Sequence, residues 1–124
     1  MATRNLTQSD FSEAVSGGGI VFVDFWAAWC GPCRAFAPTF ERASEQHPDI
    51  VFGKVDTEAE QRLAAEFRIT SIPTLMVFRD GIMVYAQPGV LAPQQLDQLI
   101  RGARDLDMED VRRQLAEREA QAAS

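Results

Sequence analysis

The sequence predicts an α/β fold, a central mixed β-sheet flanked by helices on both faces. Three observations lead there. A nearly continuous apolar run at 20–26, rich in β-branched and aromatic residues, suits a strand covered on both faces, and 50–56 reads as a second buried strand. Segments with helical spacing alternate with those runs, which favours parallel strands joined by crossovers. Asp80-Gly81, between two further strand-like runs, is a strong hairpin signal and adds an antiparallel portion.

The elements follow in order. A short strand fits Arg4 to Leu6. Thr7-Gln8-Ser9-Asp10 reads as a helix start, with an acidic side chain three residues after the Thr cap. Phe11, Ala14 and Val15 supply that helix's apolar face, and Gly17-Gly18-Gly19 stops it. Ile20 to Trp26 is a central strand, and Ala27 to Pro32 turns the chain. Cys33 to about Gln46 has helical spacing through Phe36, Phe40 and Ala43, with a kink expected at Pro38, which lacks a backbone donor. Ile50 to Asp56 is a second buried strand, and Glu58 to Phe67 a short amphipathic helix with Leu63, Ala64 and Phe67 inward. Thr74 to Arg79 and Ile82 to Val90 are the hairpin strands. Pro93 opens a helix through Leu96, Leu99 and Ile100, proline being tolerated in the first turn.

Residues 1–104 make one domain on this reading, and 105–124 differ in character. The last twenty residues hold six acids and three Arg, half of the net charge of −6. Met108, Val111 and Leu115 fall at helical spacing, and Glu109 and Arg113 are placed for an i,i+4 pair. A lone helix of this length is marginal in water. With so weak a stripe a solvated helical tail is the plainer reading, and a partner-docking helix the other.

Composition narrows the function. With 124 residues, 46% hydrophobic and 24% charged, the chain suits one globular domain rather than a disordered segment. An acidic chain without a basic run repels phosphate backbones, so nucleic acid is not an expected partner. The longest uncharged stretch, 81–96, carries two Pro and three Gln and is no membrane span. The first residues lack the apolar core of a signal peptide, so a cytoplasmic location is expected.

Cys30 and Cys33 are the only cysteines. Two cysteines separated by two residues close almost no loop, so their use is chemical rather than stabilising. Such a pair alone is ambiguous between zinc and redox chemistry. Zinc needs about four ligands, and this chain adds only His47, far along the next helix, so no metal is expected. The pair instead follows a buried strand and opens a helix, where unpaired N–H groups and the positive end of the dipole favour thiolate. Cys30 is then the exposed nucleophile and Cys33 the partner tucked into the first turn. His47, just before Pro48 at a helix end, reads as a surface residue.

Asp24 interrupts a strand otherwise without a polar side chain. Burial should raise its pKa, so that it can take a proton from Cys33 and later return it; a frayed strand end reaching water is the alternative. Lys54, the only lysine beside eleven Arg, lies on the neighbouring strand. It either faces Asp24 and favours the ionised form, or snorkels to the surface.

Trp26-Ala27-Ala28-Trp29-Cys30-Gly31-Pro32-Cys33, the Asp six residues before the first Cys, and Ile72-Pro73-Thr74 together resemble the bacterial-type thioredoxin family. The likeness spans roughly residues 5 to 104 in order and spacing. It implies a thioredoxin fold and a general protein disulfide reductase, with Cys30 attacking client disulfides, Cys33 resolving the mixed disulfide and Asp24 in proton transfer. It further implies a cis Ile72–Pro73 bond opposite the cysteines. Trp29, Gly31, Pro32, Ile72, Pro73, Thr74 and Gly89 match the family's substrate-contacting surface. No bound cofactor is implied: reducing equivalents would come from NADPH through a separate thioredoxin reductase, since the chain has no Gly-rich dinucleotide fingerprint. Disulfide-containing client proteins are the other implied partners, and the chain itself is expected to be a monomer. The same fold can serve an oxidant or isomerase, or a binding subunit; Gly31-Pro32 resembles the reducing branch. Three features depart from the common pattern: Arg34 in place of a frequent Lys, Pro88 in place of a usual Val, and the tail 105–124.

Overall fold

The computed structural model describes residues 2–123. Alternation along β2 (Ile20–Trp26) divides the molecule into its layers, because successive strand side chains point to opposite faces. Phe22 points to the face where it meets Phe52, Leu75 and Val77, roofed by α2 (Gly31–Gln46) and α4 (Pro93–Asp105) through Phe36, Phe40, Leu96 and Ile100. Val21, Val23 and Phe25 point to the other, joining Val55, Met76 and Phe78 under α1 (Phe11–Ser16) and α3 (Gln61–Glu66) through Phe11, Val15 and Leu63. Asp24 shares the parity of Phe22 and faces the α2/α4 layer.

Among the described residues the sheet has five strands in the order β1 (Thr3–Asn5), β3 (Val51–Asp56), β2, β4 (Thr74–Arg79), β5 (Ile82–Pro88). β3 runs parallel to β1 and β2, while β4 is antiparallel to β2 and β5. This is the expected mixed sheet with helices on both faces. Asp80 (φ 53°) and Gly81 (φ 82°) both take the left-handed backbone that a tight hairpin requires. Gly53 has a different cause: a Cβ there would lie 2.9 Å from Leu6 Cγ, so glycine lets buried Leu6 close over β3.

Several boundaries differ from expectation. The first strand is 3–5 rather than 4–6. The regular part of α1 begins at Phe11 because Thr7 caps only in part: its N–H donates to Asp10 Oδ1 (2.6 Å), but its hydroxyl pairs with Ser9. α2 includes Gly31 and Pro32, with Pro38 inside its continuous span. α3 starts three residues late, because Asp56 Oδ1 accepts from the Glu58 and Ala59 N–H groups and holds a turn there. β5 ends at Pro88, before Gly89 turns away with φ 112°.

The tail is a helix, α5 (Met108–Ala123), and it is not wholly solvated. Met108 is buried and Val111 and Leu115 half-buried. Beyond Leu115 the helix is exposed. Arg113 pairs with Asp110 one turn back, not with Glu109. Arg112 reaches Asp80 at the hairpin tip (3.4 Å), and Arg79 donates to the carbonyls of Ala103, Arg104 and Leu106, fixing the link between α4 and α5. Val111 and Leu115 share a groove with the consecutive residues Ile82, Met83 and Val84. Neighbours along a strand point to opposite faces, so such a groove wraps the free edge of β5.

Candidate active site at the start of helix α2

β2 delivers the chain to a turn whose Cys30 N–H is bonded to Ala27 O (3.1 Å), and α2 starts immediately after. Cys30 is the N-cap residue of α2, in extended backbone (φ −85°, ψ 111°), and its Sγ accepts the Cys33 N–H at 3.2 Å. A cysteine sulfur thus fills the capping position that Ser, Thr or Asp usually occupy. Cys30 and Cys33 are joined in a disulfide, with Cα atoms 5.2 Å apart. The same N–H and the helix dipole would favour a thiolate at Cys30 once the bond is reduced.

Cys30 is not exposed as the sequence suggested: it is 4% accessible and Cys33 2%. The cause is the roof over it. Ile72 packs on the cluster formed by Ala27, Cys30 and Cys33, and Ile72 O lies 3.7 Å from Cys30 Sγ. In the disulfide that sulfur carries no proton, so the approach is a contact rather than a hydrogen bond. Trp29 beside it is 67% exposed, and Gly31 and Pro32 are exposed too.

The Ile72–Pro73 bond is cis, as the resemblance implied. Pro73 O accepts the Gly89 N–H at 2.8 Å, which ties the end of β5 to this loop. Thr74 is buried, and its hydroxyl donates to Ser71 O. The structure therefore gathers Trp29, Gly31, Pro32 and Ile72 around Cys30, with Pro73, Thr74 and Gly89 forming the adjoining wall. Arg34 donates to Ala28 O (2.7 Å), fastening the turn before the cysteines.

Asp24 is 1% exposed, and neither carboxylate oxygen has a hydrogen-bond partner among the described residues. Desolvation pushes its pKa from 3.8 up to about 7, and Lys54 pulls the other way. The frayed-end reading is thereby excluded. Lys54 lies in register with Asp24 across the β2–β3 ladder, on the same face. It is half-buried, with Nζ 4.8 Å from the centre of the Trp26 ring. His47 is half-buried rather than a free surface residue: its Nδ1 lies 3.0 Å from Arg104, which also grips Asp49 through two bonds.

One part of the site was not foreseen. A groove of about 360 Å³ opens between Trp29 and Ile72 on one side and Glu58, Gln61 and Ala65 on the other. Its far wall comes from the turn before α3 and from α3 itself, whose outward residues carry no pattern that distinguishes a solvated face from a groove wall. No helix among the described residues is long and apolar enough to cross a membrane.

With this geometry in view, comparison with known proteins is decisive. The thioredoxin family model matches residues 2–102. The chain belongs to the thioredoxin family. A Streptomyces coelicolor protein named as a thioredoxin 2 is 51% identical over 121 residues, covering 98% of this chain and 90% of that protein. The thioredoxin of Alicyclobacillus acidocaldarius is 41% identical over 97 residues, covering 77% of this chain and 92% of the relative. Among solved structures, a mutant thioredoxin from Halobacterium salinarum superposes with a TM-score of 0.76 at 32% identity, over 84% of this chain and 91% of that one. Plasmodium falciparum thioredoxin gives 0.74 at 36% identity, over 81% and 98%. By family and by its Cys30–Cys33 disulfide, this thioredoxin is a thiol–disulfide oxidoreductase.

Proposed function

We propose that this thioredoxin is a general protein disulfide reductase of the bacterial type, working in the cytoplasm as a monomer. Residues 1–104 carry the activity and 105–124 are an acidic extension of the domain. The observation that carries the reading is Cys30 Sγ at the α2 N-cap, accepting the Cys33 N–H at 3.2 Å beside the cis-Pro73 loop.

In the reduced protein, Cys30 thiolate attacks one sulfur of a client disulfide. That S–S bond breaks, a mixed disulfide forms, and the first client sulfur leaves as a thiolate. Cys33 then gives its proton to Asp24 and attacks Cys30 Sγ, breaking the mixed disulfide and releasing the second client thiolate. The client has gained two electrons, and the Cys30–Cys33 bond seen here is the product. Because the second attack is intramolecular, the mixed intermediate is short-lived. Asp24 suits the proton transfer because a pKa of about 7 lets it hold or release a proton near neutrality. Lys54 adjusts that value from the neighbouring strand. Trp29, Gly31, Pro32, Ile72, Pro73, Thr74 and Gly89 receive an extended stretch of client. A separate thioredoxin reductase restores the dithiol with electrons from NADPH, and the pair maintains cellular redox balance without a cofactor bound to this chain.

The test uses two substitutions. Cys33→Ser should accumulate mixed disulfides with client proteins, and Cys30→Ser should lose all disulfide reduction. Failure to isolate any covalent complex from Cys33→Ser overturns the mechanism. The reduction potential separates the branches of the fold: about −270 mV marks a reductant of thioredoxin type, and about −180 to −120 mV an isomerase or oxidant.

A further inference from the structure

The groove between Trp29 and α3 has a chemistry that the disulfide exchange does not use. Two of its walls flank the reactive sulfur directly: Trp29 precedes Cys30, and Ile72 packs on the cysteine cluster. A client whose cystine reaches Cys30 therefore places a neighbouring side chain at the mouth of the groove. At about 360 Å³ the space holds one long side chain. Its apolar surface comes chiefly from Trp29, Ile69 and Ile72, and Glu58 is its single charged residue.

Glu58 enters no ion pair among the described residues. Lys54 lies over Trp26 and Arg34 is bonded to Ala28 O, and Arg62, four residues beyond Glu58, forms no ion pair with it among the described residues. An apolar guest would leave the exposed Glu58 carboxylate without a partner, and an acidic one would be repelled. A guest with an apolar stem and a positive tip satisfies both walls. Its guanidinium or ammonium can also lie against the exposed indole of Trp29, with Arg the better fit for a flat ring. The net charge of −6 draws such clients toward the protein in general.

We propose that this groove selects clients carrying Arg or Lys beside the attacked cysteine, with Glu58 as the specificity-determining residue. The inference rests on the disulfide-reductase reading and names the client chemistry for that site. An exposed ion pair reinforced by a cation over an indole should give about a fivefold preference at low salt.

The probes are disulfide-bonded peptides differing only in Arg, Gln or Glu at each position flanking the attacked cysteine. Second-order rate constants with the reduced protein are divided by those with dithiothreitol, which removes each peptide's own reactivity. At one flanking position the wild type should react fastest with Arg and slowest with Glu, and the spread should shrink in 0.5 M salt, about the concentration that screens exposed charges beyond ~5 Å. Glu58→Gln should bring Arg and Glu peptides within about twofold of each other, and Glu58→Lys should reverse their order. An Arg-over-Glu ratio unchanged by Glu58→Gln, or no preference in the wild type, overturns the assignment. A wild-type protein that reduces none of the peptides overturns the reductase reading itself.

Discussion

Replacing Asp24 with Asn tests the cost of keeping a carboxyl group inside the sheet. In the unfolded chain the group titrates at its ordinary value of 3.8, and in the folded protein at about 7. Below pH 3.8 both states are protonated and burial carries no ionic penalty. As pH rises from there the unfolded chain loses its proton first, so stability falls until the folded group ionises near pH 7. Each unit between those values is worth ~1.4 kcal/mol, which makes the full loss about 4 kcal/mol above pH 8.

Asn is nearly isosteric and cannot ionise. Its buried amide lacks partners as the acid does, and that cost does not vary with pH. The stability difference between Asp24→Asn and wild type should therefore grow steadily from pH 4 to pH 7 and level off above pH 8. Urea unfolding of the oxidised proteins at unit steps of pH measures this directly, since cysteines in the disulfide do not titrate. Parallel stability curves for the two proteins between pH 5 and 8 would refute the buried, perturbed carboxyl. In the reduced protein the same substitution should slow resolution of the mixed disulfide more than the initial attack, and equal slowing of both steps removes Asp24 from proton transfer.

Lys54→Met removes the charge that pulls the Asp24 pKa down, so the pH at which wild-type stability stops falling should move upward; an unmoved profile would detach Lys54 from Asp24. Gly53→Ala sets a methyl against pinned Leu6 and should cost about 1–3 kcal/mol in chemical unfolding, whereas a neutral result would show that Leu6 gives way freely. Deleting 106–124 exposes the groove wall at Ile82, Met83 and Val84 and removes buried Met108, for a loss of about 2–3 kcal/mol. That truncation should leave reduction of a generic disulfide intact, and unchanged thermal stability would show that α5 contributes no packing.

The buried strands were legible because each is short, apolar and bounded by turn residues: 20–26 matches β2, and Asp80-Gly81 makes the hairpin with both residues in left-handed backbone. The cysteine pair was legible for a local reason, since strand, turn and helix start are consecutive in sequence. Helix starts slipped through local side-chain bonds such as those of Asp56 to Glu58 and Ala59 N–H, and the larger misses depend on contacts between distant segments. Cys30 is covered by Ile72, forty-two residues away, and no local pattern reports a roof. α5 docks where Val111 and Leu115 meet β5, with Arg112 reaching Asp80 alongside, so a weak stripe acquired a partner within the same chain. The cis bond at Pro73 followed only from family resemblance, because X–Pro sequences do not encode the isomer.

The two ends of the sheet carry different burdens. β2 and β3 end at the cysteines, while β4, antiparallel to β2, starts there at Thr74 and ends at Arg79 on the far side. A six-residue strand rises about 3.3 Å per residue, so some 20 Å separates the redox end from the hairpin tip. At the redox end the fold accepts an orphaned carboxyl, an exposed Trp29 and a cysteine in a helix-capping position, each a departure from what stability alone would select. At the far end it adds contacts: Arg79 binds three carbonyls at the α4–α5 link, and Asp80 binds both Gly19 N–H and Arg112. β4 and β2 pair along six consecutive residues and connect the two ends mechanically. Packing gained by α5 thus offsets part of the cost of ionising Asp24 while lying too far away to alter the chemistry at Cys30.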